Sequence, residues 1–532
     1  MRSFWGWGYD ADFPDEAARA KLAARLRSIG LDVADPAPVP RLDAVTLADP
    51  RYAPPVELRG FGTTDKRERA THAYGRAYRD IVRAFYGDFR AAPDWVFYPE
   101  REEQIVALYR FCERDSIALV PYGGGTSVVG GVELSPEGRF RGTACVDMTR
   151  MNALLEIDLV SRAARIQAGA TGPRIASLLE PHGVSLRHYP QSYELSTLGG
   201  WIATRAAGHY ATDRTRIDAF VESVRMITPA GVFETRRVPS SGAGPDAAQI
   251  VLGSEGAFGI VTEAWMRVEP LPRWRASASV SFSRFEDGVN AARALAQSGL
   301  NPSNCRLLDA AEAAFHHVSN DGSAVLLLAF ESPDHPVEPW MERALSLATD
   351  LGGIADEPKY TSGGAGAAHD VEEASAWKKA FFQGPYLQSA LISLGLVCDT
   401  FETACTWDRF DALHRTVSEK VRTAMEASGT PGQLACRFTH LYPDGPAAYF
   451  SFLMPGRRGS ELDQWQAVKD AASDAILATG GTITHHHAVG RVHRPWWERE
   501  RSALFGQLLS AEKDRLDPSG ILNPGCLLPS RT

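Results

Sequence analysis

The chain has 532 residues, too many for one hydrophobic core, so two or three domains are expected. Its 44% hydrophobic and 23% charged content is that of an ordinary globular protein, and a formal net charge of −9 excludes the general basic face of a nucleic-acid binder. Seven dispersed cysteines without a C-x-x-C pair fit reduced thiols, and no apolar run approaches the ~18 residues of a membrane-spanning helix.

Residues 1–90 read as a helical N-terminal region. Asp15–Leu26 is rich in helix formers with Pro14 at its first turn, and a connector bearing Pro36, Pro38 and Pro40 follows. His72 and Arg76 stand four apart and are expected on a solvated helix face. A second unit, residues 91–272, opens near Ala92–Pro99. In the stretch Glu100–Arg114, Ile105, Leu108, Tyr109 and Cys112 have helical spacing, and the apolar run Ile117–Val120 then delivers the chain into Pro121-Tyr122-Gly123-Gly124-Gly125-Thr126-Ser127. Three successive glycines let the backbone approach a ligand, and with Thr126 and Ser127 they offer a concave set of donors suited to a diphosphate. The loop is neither the dinucleotide fingerprint nor the mononucleotide loop, and a plain glycine turn between strands is the competing reading.

Further along, Ala144–Met148 reads as a strand, Glu156–Ala168 as a hairpin and Thr171–Leu179 as a helix with Pro173 in its first turn. The segment Pro190–Thr204 carries hydroxyls and then a glycine pair. Phe220–Thr228 and Val232–Thr235 are strands joined by the turn Pro229-Ala230-Gly231, and Gly253–Glu263 is a second glycine-rich turn running into a strand. Glu269–Pro272 closes the unit. From residue 273 to 505 strands alternate with longer helices, which predicts an α+β cap on an antiparallel sheet. Tyr360–His369, with its glycines, is expected to be a mobile loop.

His485-His486-His487 follows a glycine pair. On a strand His485 and His487 would share one face and His486 would take the other. A metal site, a surface histidine cluster and acid/base or substrate work all remain open; a zinc site lacks further ligands at the usual spacing, so no metal is assigned.

The three glycine- and hydroxyl-rich segments, in this order, resemble the flavin domain of the vanillyl-alcohol-oxidase / p-cresol-methylhydroxylase superfamily. With Thr204-Arg205-Ala206, Arg306-Leu307-Leu308-Asp309, Phe401-Glu402-Thr403, Trp407-Asp408-Arg409, Tyr449-Phe450 and the histidine triplet, the chain is similar to the alkylglycerone-phosphate (alkyl-dihydroxyacetonephosphate) synthase family. The resemblance implies an α+β fold: a two-part FAD-binding domain of the p-cresol-methylhydroxylase type, a cap, and a C-terminal return over residues 506–532. It implies non-covalent FAD, with no histidine in the glycine loop to link it, and an exchange of an acyl for an alkyl group on a dihydroxyacetone-phosphate-like ketone through a flavin N5 adduct.

FAD contacts implied in this way are Pro121, Tyr122, Gly123, Gly124, Gly125, Thr126, Ser127 and Gly130; then Pro190, Ser196, Thr197, Gly199, Gly200, Thr204, Arg205, Ala206 and Ala207; then Glu255, Gly256, Gly259, Ile260 and Val261. Tyr449 is implied as the proton-transfer group, a role for which a phenol needs a nearby cation. Arg306, His485, His486 and His487 are candidates for stabilising an enolate or alkoxide. The family's substrate-binding arginine falls on Gln388, which lacks the charged fork for a phosphate dianion. Arg214 or Arg216 would then meet a phosphate, or the substrate carries none. Oxidation of a 2-hydroxy acid or alcohol, with a histidine of the triplet as base, is therefore the alternative, and a flavin-binding module without catalysis is a third. A small-molecule or lipid-like substrate, no nucleic-acid partner, a homodimer and a cytoplasmic location are expected; peripheral membrane contact stays open.

Overall fold

A computed structural model describes residues 1–28, 30–133, 139–363 and 384–530. The glycine-rich loop leaves the end of a strand in a four-stranded sheet. Its strands are β1 (Gly62–Thr63), β2 (Trp95–Phe97), β3 (Ile117–Tyr122) and β4 (Gly142–Asp147), in the order β1-β2-β4-β3. β2, β4 and β3 run parallel, and β3 is buried almost throughout, as a strand covered on both faces must be. The edge strand β1 comes from ahead of residue 91, so the N-terminal region is woven into this sheet. The C-terminal return supplies the other neighbour: the Leu119 N–H donates to Ile521 O at 2.8 Å, and the Asn523 N–H to Leu119 O at 2.9 Å.

A second sheet holds β5 (Leu154–Asp158), β6 (Ala163–Gln167), β8 (Val221–Thr228), β9 (Gly231–Glu234) and β10 (Ile260–Arg267), in the antiparallel order β5-β6-β10-β8-β9. The short strands β7 (Val184–Ser185) and β11 (Glu269–Pro270) pair beside it.

The cap is an eight-stranded antiparallel sheet. It holds β12 (Trp274–Phe282), β13 (Asn304–Leu308), β14 (Ala324–Ser332), β15 (Ile354–Ala355), β16 (Lys359–Ser362), β17 (Leu396–Ala404), β18 (Gln433–Tyr442) and β19 (Gly445–Pro455). Alternation along the strands divides its faces. Phe438 and Phe450 enter a core with Phe410 and Leu413 of helix Trp407–Ala427 and Trp465 of helix Glu461–Ala478. The intervening residues, Gln433, Ala435, Arg437 and Thr439 on β18 and Tyr449, Ser451 and Leu453 on β19, face a cleft toward the glycine loop.

Two expectations are corrected here. Tyr360–Ser362 belongs to β16, paired with β12, because its alternating side chains complete the sheet edge; residues 364–369 of the expected loop lie outside the described residues. His72 and Arg76 are not on a solvated face. The helix Lys66–Thr71 ends before them, and both are buried. His72 Nε2 lies 2.9 Å from Asp147 Oδ2, and its ring packs on Tyr122 at 4.4 Å, behind the glycine loop.

Candidate active site

One continuous cleft, with about 400 Å³ of free volume, runs from Pro121–Ser127 past Ser196–Gly200 and Gly256–Val261 to Tyr449, His486 and His487. At its first end the loop presents bare backbone. A Cβ on Gly123 would stand 2.1 Å from Thr197 Oγ1, and one on Gly124 would stand 2.1 Å from the Leu195 carbonyl oxygen. Only glycine lets these two segments close against each other while leaving their main chain open to the cleft. The Ser127 hydroxyl stabilises the bend by accepting from the Gly131 N–H at 2.8 Å, and Thr197 caps the helix Leu198–Thr204. A glycine cradle, backbone donors and an elongated cleft make a donor set that fits the diphosphate and ring of FAD.

Not every residue implied as an FAD contact faces this space. Arg205 is turned out to Asp218 at 3.0 Å, and Gly130 sits under Arg79; neither lines the cleft. Tyr122 contributes backbone, since its hydroxyl donates to Thr71 O at 3.1 Å. Glu255 lines the cleft, but its carboxylate accepts the Val489 and Gly490 N–H groups at 2.8 and 2.7 Å. Burial pushes this carboxyl up to about 7 while those two donors oppose the rise. It therefore clasps the far side of the histidine loop.

At the other end, register builds a row across three strands: Glu402 on β17 pairs with Tyr449 on β19, which pairs with Arg437 on β18. The Tyr449 hydroxyl donates to Thr400 Oγ1 at 2.9 Å. The Arg437 guanidinium lies 4.1 Å from the Tyr449 ring centroid and forms a buried ion pair with Glu312. Burial raises the Tyr449 phenol to about 12, and Arg437 works against that rise. Burial also pushes Glu312 up, but Arg437 and His316 outweigh it and hold the carboxylate at about 2. Arg306, on β13, faces the same space, with Nη2 donating to His209 O at 2.8 Å. Burial, then the neighbouring Arg437, lowers its guanidinium to about 9.

The histidine triplet is not a strand, which corrects the expected alternation. The N–H groups of His485, His486 and His487 all converge on Glu402 Oε1, at 3.1, 2.6 and 2.6 Å. Thr484 donates to the same oxygen at 2.9 Å. One carboxylate, 1% exposed, curls the loop around itself, a shape that strand pairing would forbid. Burial opposes its ionisation, yet His486 and His487 hold it well below the usual carboxylate range. His486 and His487 line the cleft beside Tyr449, at ring-centroid distances of 6.2 and 5.4 Å. His485 does not line it. Its Nε2 lies 2.7 Å from the Tyr442 hydroxyl, and its Nδ1 lies 3.1 Å from His486 Nδ1. Burial lowers His485 and His487 to about 3, so both rings are neutral near pH 7. His440 is buried with its ring against His485, its centroid 4.9 Å away, and its Nε2 2.9 Å from Gly208 O.

Gln388 lines the cleft in the helix over 384–393. Its amide is fixed at both ends: Oε1 accepts from Trp7 Nε1 at 3.1 Å, and Nε2 donates to Cys398 O at 3.1 Å. Trp7 arrives on an N-terminal hairpin in which Arg2 bridges to Tyr9 and reaches Gly124 O, so the first nine residues strap the glycine loop to the cap. Arg214 and Arg216 are paired, with Glu269 at 2.8 Å and Asp218 at 3.3 Å, and neither lines the cleft.

Sequence reasoning gave no role to Arg437, Glu312, Trp7 or Tyr442, and none to Glu402 beyond its place in a matching segment. For two of them a signal was present. Arg437 and Glu402 are charges in the middle of apolar strands, where an unpaired charge is untenable and a partner must exist.

Comparison with known proteins bears on the whole chain. Residues 93–236 match the family model "FAD binding domain", and residues 271–527 match "FAD linked oxidases, C-terminal domain". The chain is 31% identical over 487 residues to alkyldihydroxyacetonephosphate synthase of Trypanosoma brucei brucei, covering 88% of this chain and 78% of the relative. It is 29% identical over 531 residues to the synthase of Dictyostelium discoideum, covering 94% and 84%. A solved alkyldihydroxyacetonephosphate synthase superposes with a TM-score of 0.79 at 24% identity over 98% of both chains. p-Cresol methylhydroxylase superposes with 0.66 at 15% identity, over 89% and 94%.

Proposed function

The chain belongs to the alkyldihydroxyacetonephosphate synthase family of FAD-dependent enzymes, and from that premise we propose that it exchanges the acyl group of an acylated dihydroxyacetone-phosphate-like ketone for a fatty alcohol. The observation that carries this reading is the buried row Arg437–Tyr449–Glu402, in which Arg437 and Tyr449 face the same cleft as the glycine loop and Glu402 holds the histidine loop beside them. Pro121–Ser127, Ser196–Gly200 and Gly256–Val261 would hold FAD, which when bound supplies an electron-accepting ring.

Tyr449 takes the proton from the carbon that bears the ester oxygen and later returns one to the same carbon. Burial alone disfavours its phenolate; the guanidinium at 4.1 Å opposes that cost, which is what a phenol acting as a base requires. His486 and His487 face the ketone region, positioned by Glu402, and His487 does so as a neutral ring. Arg306 offers a cation to the developing oxyanion. The ester C–O bond breaks, the fatty acid departs, and the alcohol oxygen bonds to the vacated carbon while its proton goes to the medium. No net electrons are gained or lost.

A second reading, oxidation of a 2-hydroxy acid or alcohol, is favoured by the neutral Gln388, whose amide is already committed to Trp7 and Cys398. Anaerobic mixing separates the two. With palmitoyl-dihydroxyacetone phosphate and hexadecanol, the exchange reading expects palmitate release, alkyl ketone formation and only transient bleaching of the flavin. Lasting bleaching by a 2-hydroxy acid, with no palmitate released from the ketone, would replace it by the oxidative one.

A further inference from the structure

We propose that protons moved in the cleft leave and return through a relay, His486–His485–Tyr442, that passes behind the histidine loop to a separate hollow on the outer face. The proposal rests on the site described above, but holds for exchange and oxidation alike, since each must dispose of a substrate proton.

The need follows from burial. Tyr449 is enclosed, and a cleft filled by cofactor and substrate leaves little room for bulk water beside it. His486 is stacked on Tyr449 with 16° between the rings. From it, unbroken contacts lead away from the substrate: His486 Nδ1 to His485 Nδ1 at 3.1 Å, His485 Nε2 to the Tyr442 hydroxyl at 2.7 Å, and that hydroxyl to Thr215 Oγ1 at 2.8 Å. Tyr442 is half-buried and lines an open hollow of about 950 Å³, together with Cys405, Asp408, Arg409 and Glu500. That hollow shares no lining residue with the cleft.

The chemistry of each member suits a hop. His485 is neutral, so with its proton on Nε2 it keeps a lone pair on Nδ1. A proton arriving on the His486 ring displaces the Nδ1 proton to His485 Nδ1. The His485 Nε2 proton then moves to the Tyr442 oxygen, and the Tyr442 hydroxyl proton moves outward to water or buffer. One N–H or O–H bond breaks for each that forms, one positive charge moves, and nothing is oxidised. Between turnovers the contact of His486 Nδ1 with Glu402 Oε2, at 2.5 Å, holds the first proton in place.

A prop for the loop would need the same residues, so the test removes only the hydroxyl. Tyr442→Phe keeps the ring and the main-chain oxygen that accepts from Trp407 Nε1. In dilute non-proton-carrying buffer the variant holoenzyme should turn over palmitoyl-dihydroxyacetone phosphate and hexadecanol about tenfold or more slower than wild type. Added imidazole should restore its rate, while wild type stays indifferent to buffer concentration. A second readout needs no substrate: in [15N]histidine-labelled holoenzyme, exchange of the His485 ring proton with water should slow in the variant. If wild type ignores the ketone, the function proposed above fails and the ring-proton exchange alone decides the relay. Buffer-independent turnover, or unchanged ring-proton exchange, in the folded yellow variant overturns it.

Discussion

Replacing Arg437 by Met and Glu312 by Leu, singly and together, separates the stability of their ion pair from its service to Tyr449. Each single change takes a nearly enclosed charge's main partner away, although Glu312 keeps His316 at 3.2 Å when Arg437 is replaced. Loss of one partner should cost about 3–5 kcal/mol, whereas the neutral double variant should recover most of that. Activity should not recover with it. At an effective dielectric of about 20, a unit charge 4.1 Å from the ring is worth about 4 kcal/mol to a phenolate. Glu312 offsets part of this, and about 2 kcal/mol remaining corresponds to roughly 30-fold in proton abstraction. The assay is deuterium wash-in at the α-carbon of saturating palmitoyl-dihydroxyacetone phosphate, read beside thermal denaturation and flavin content. A double variant that is yellow, stable and exchanges at the wild-type rate would refute the cation's role at Tyr449.

Gly124→Val should give a folded but colourless protein, since its Cβ would stand 2.1 Å from Leu195 O; stoichiometric FAD in the variant removes the loop from the cofactor site. Tyr449→Phe should abolish α-proton exchange while leaving FAD bound, and retained exchange would assign the base elsewhere. Glu402→Gln should unhook the histidine loop and lower activity at least about tenfold, because a buried acceptor of three N–H groups loses its charge. Glu402 is depressed in the folded protein, so its stabilisation is complete above the ordinary carboxylate value near 4.5 and is lost as pH falls through its lower folded value. Wild-type stability should thus fall more steeply than that of the Gln variant below about pH 4.5, as denaturation midpoints against pH would reveal. Trp7→Ala should free the Gln388 amide and raise KM for the ketone a few-fold with flavin content unchanged; an unaltered KM would make the contact ornamental.

Much of this was legible beforehand because it is local. The glycine triplet, the hairpin over 156–168 and the strand–helix alternation of the cap are written in short-range pattern, and the structure returns them with small shifts of boundary. What escaped was set by distance in sequence. Sequence alone puts His72 on a solvated face because nothing near it announces Asp147, seventy-five positions on, as its partner. Strand geometry is the default for a short run after a glycine pair, so sequence alone gives the triplet alternating faces; Glu402, reaching in from β17, overrides it. Arg205 carries a motif position yet turns outward, because a left-handed residue ends its helix there and Asp218 is in reach.

The N-terminal strap carries a consequence for how the protein is made. Trp7 leaves the ribosome ahead of its partner, for the amide it must grip is 381 positions behind it. At roughly 5–20 residues per second, the indole waits on the order of 20–80 s for its seat to exist. Until then the growing flavin half lacks one wall of its own binding groove, so coenzyme captured during translation would be held in an open trough and locked in only once Gln388 has emerged and found its helix.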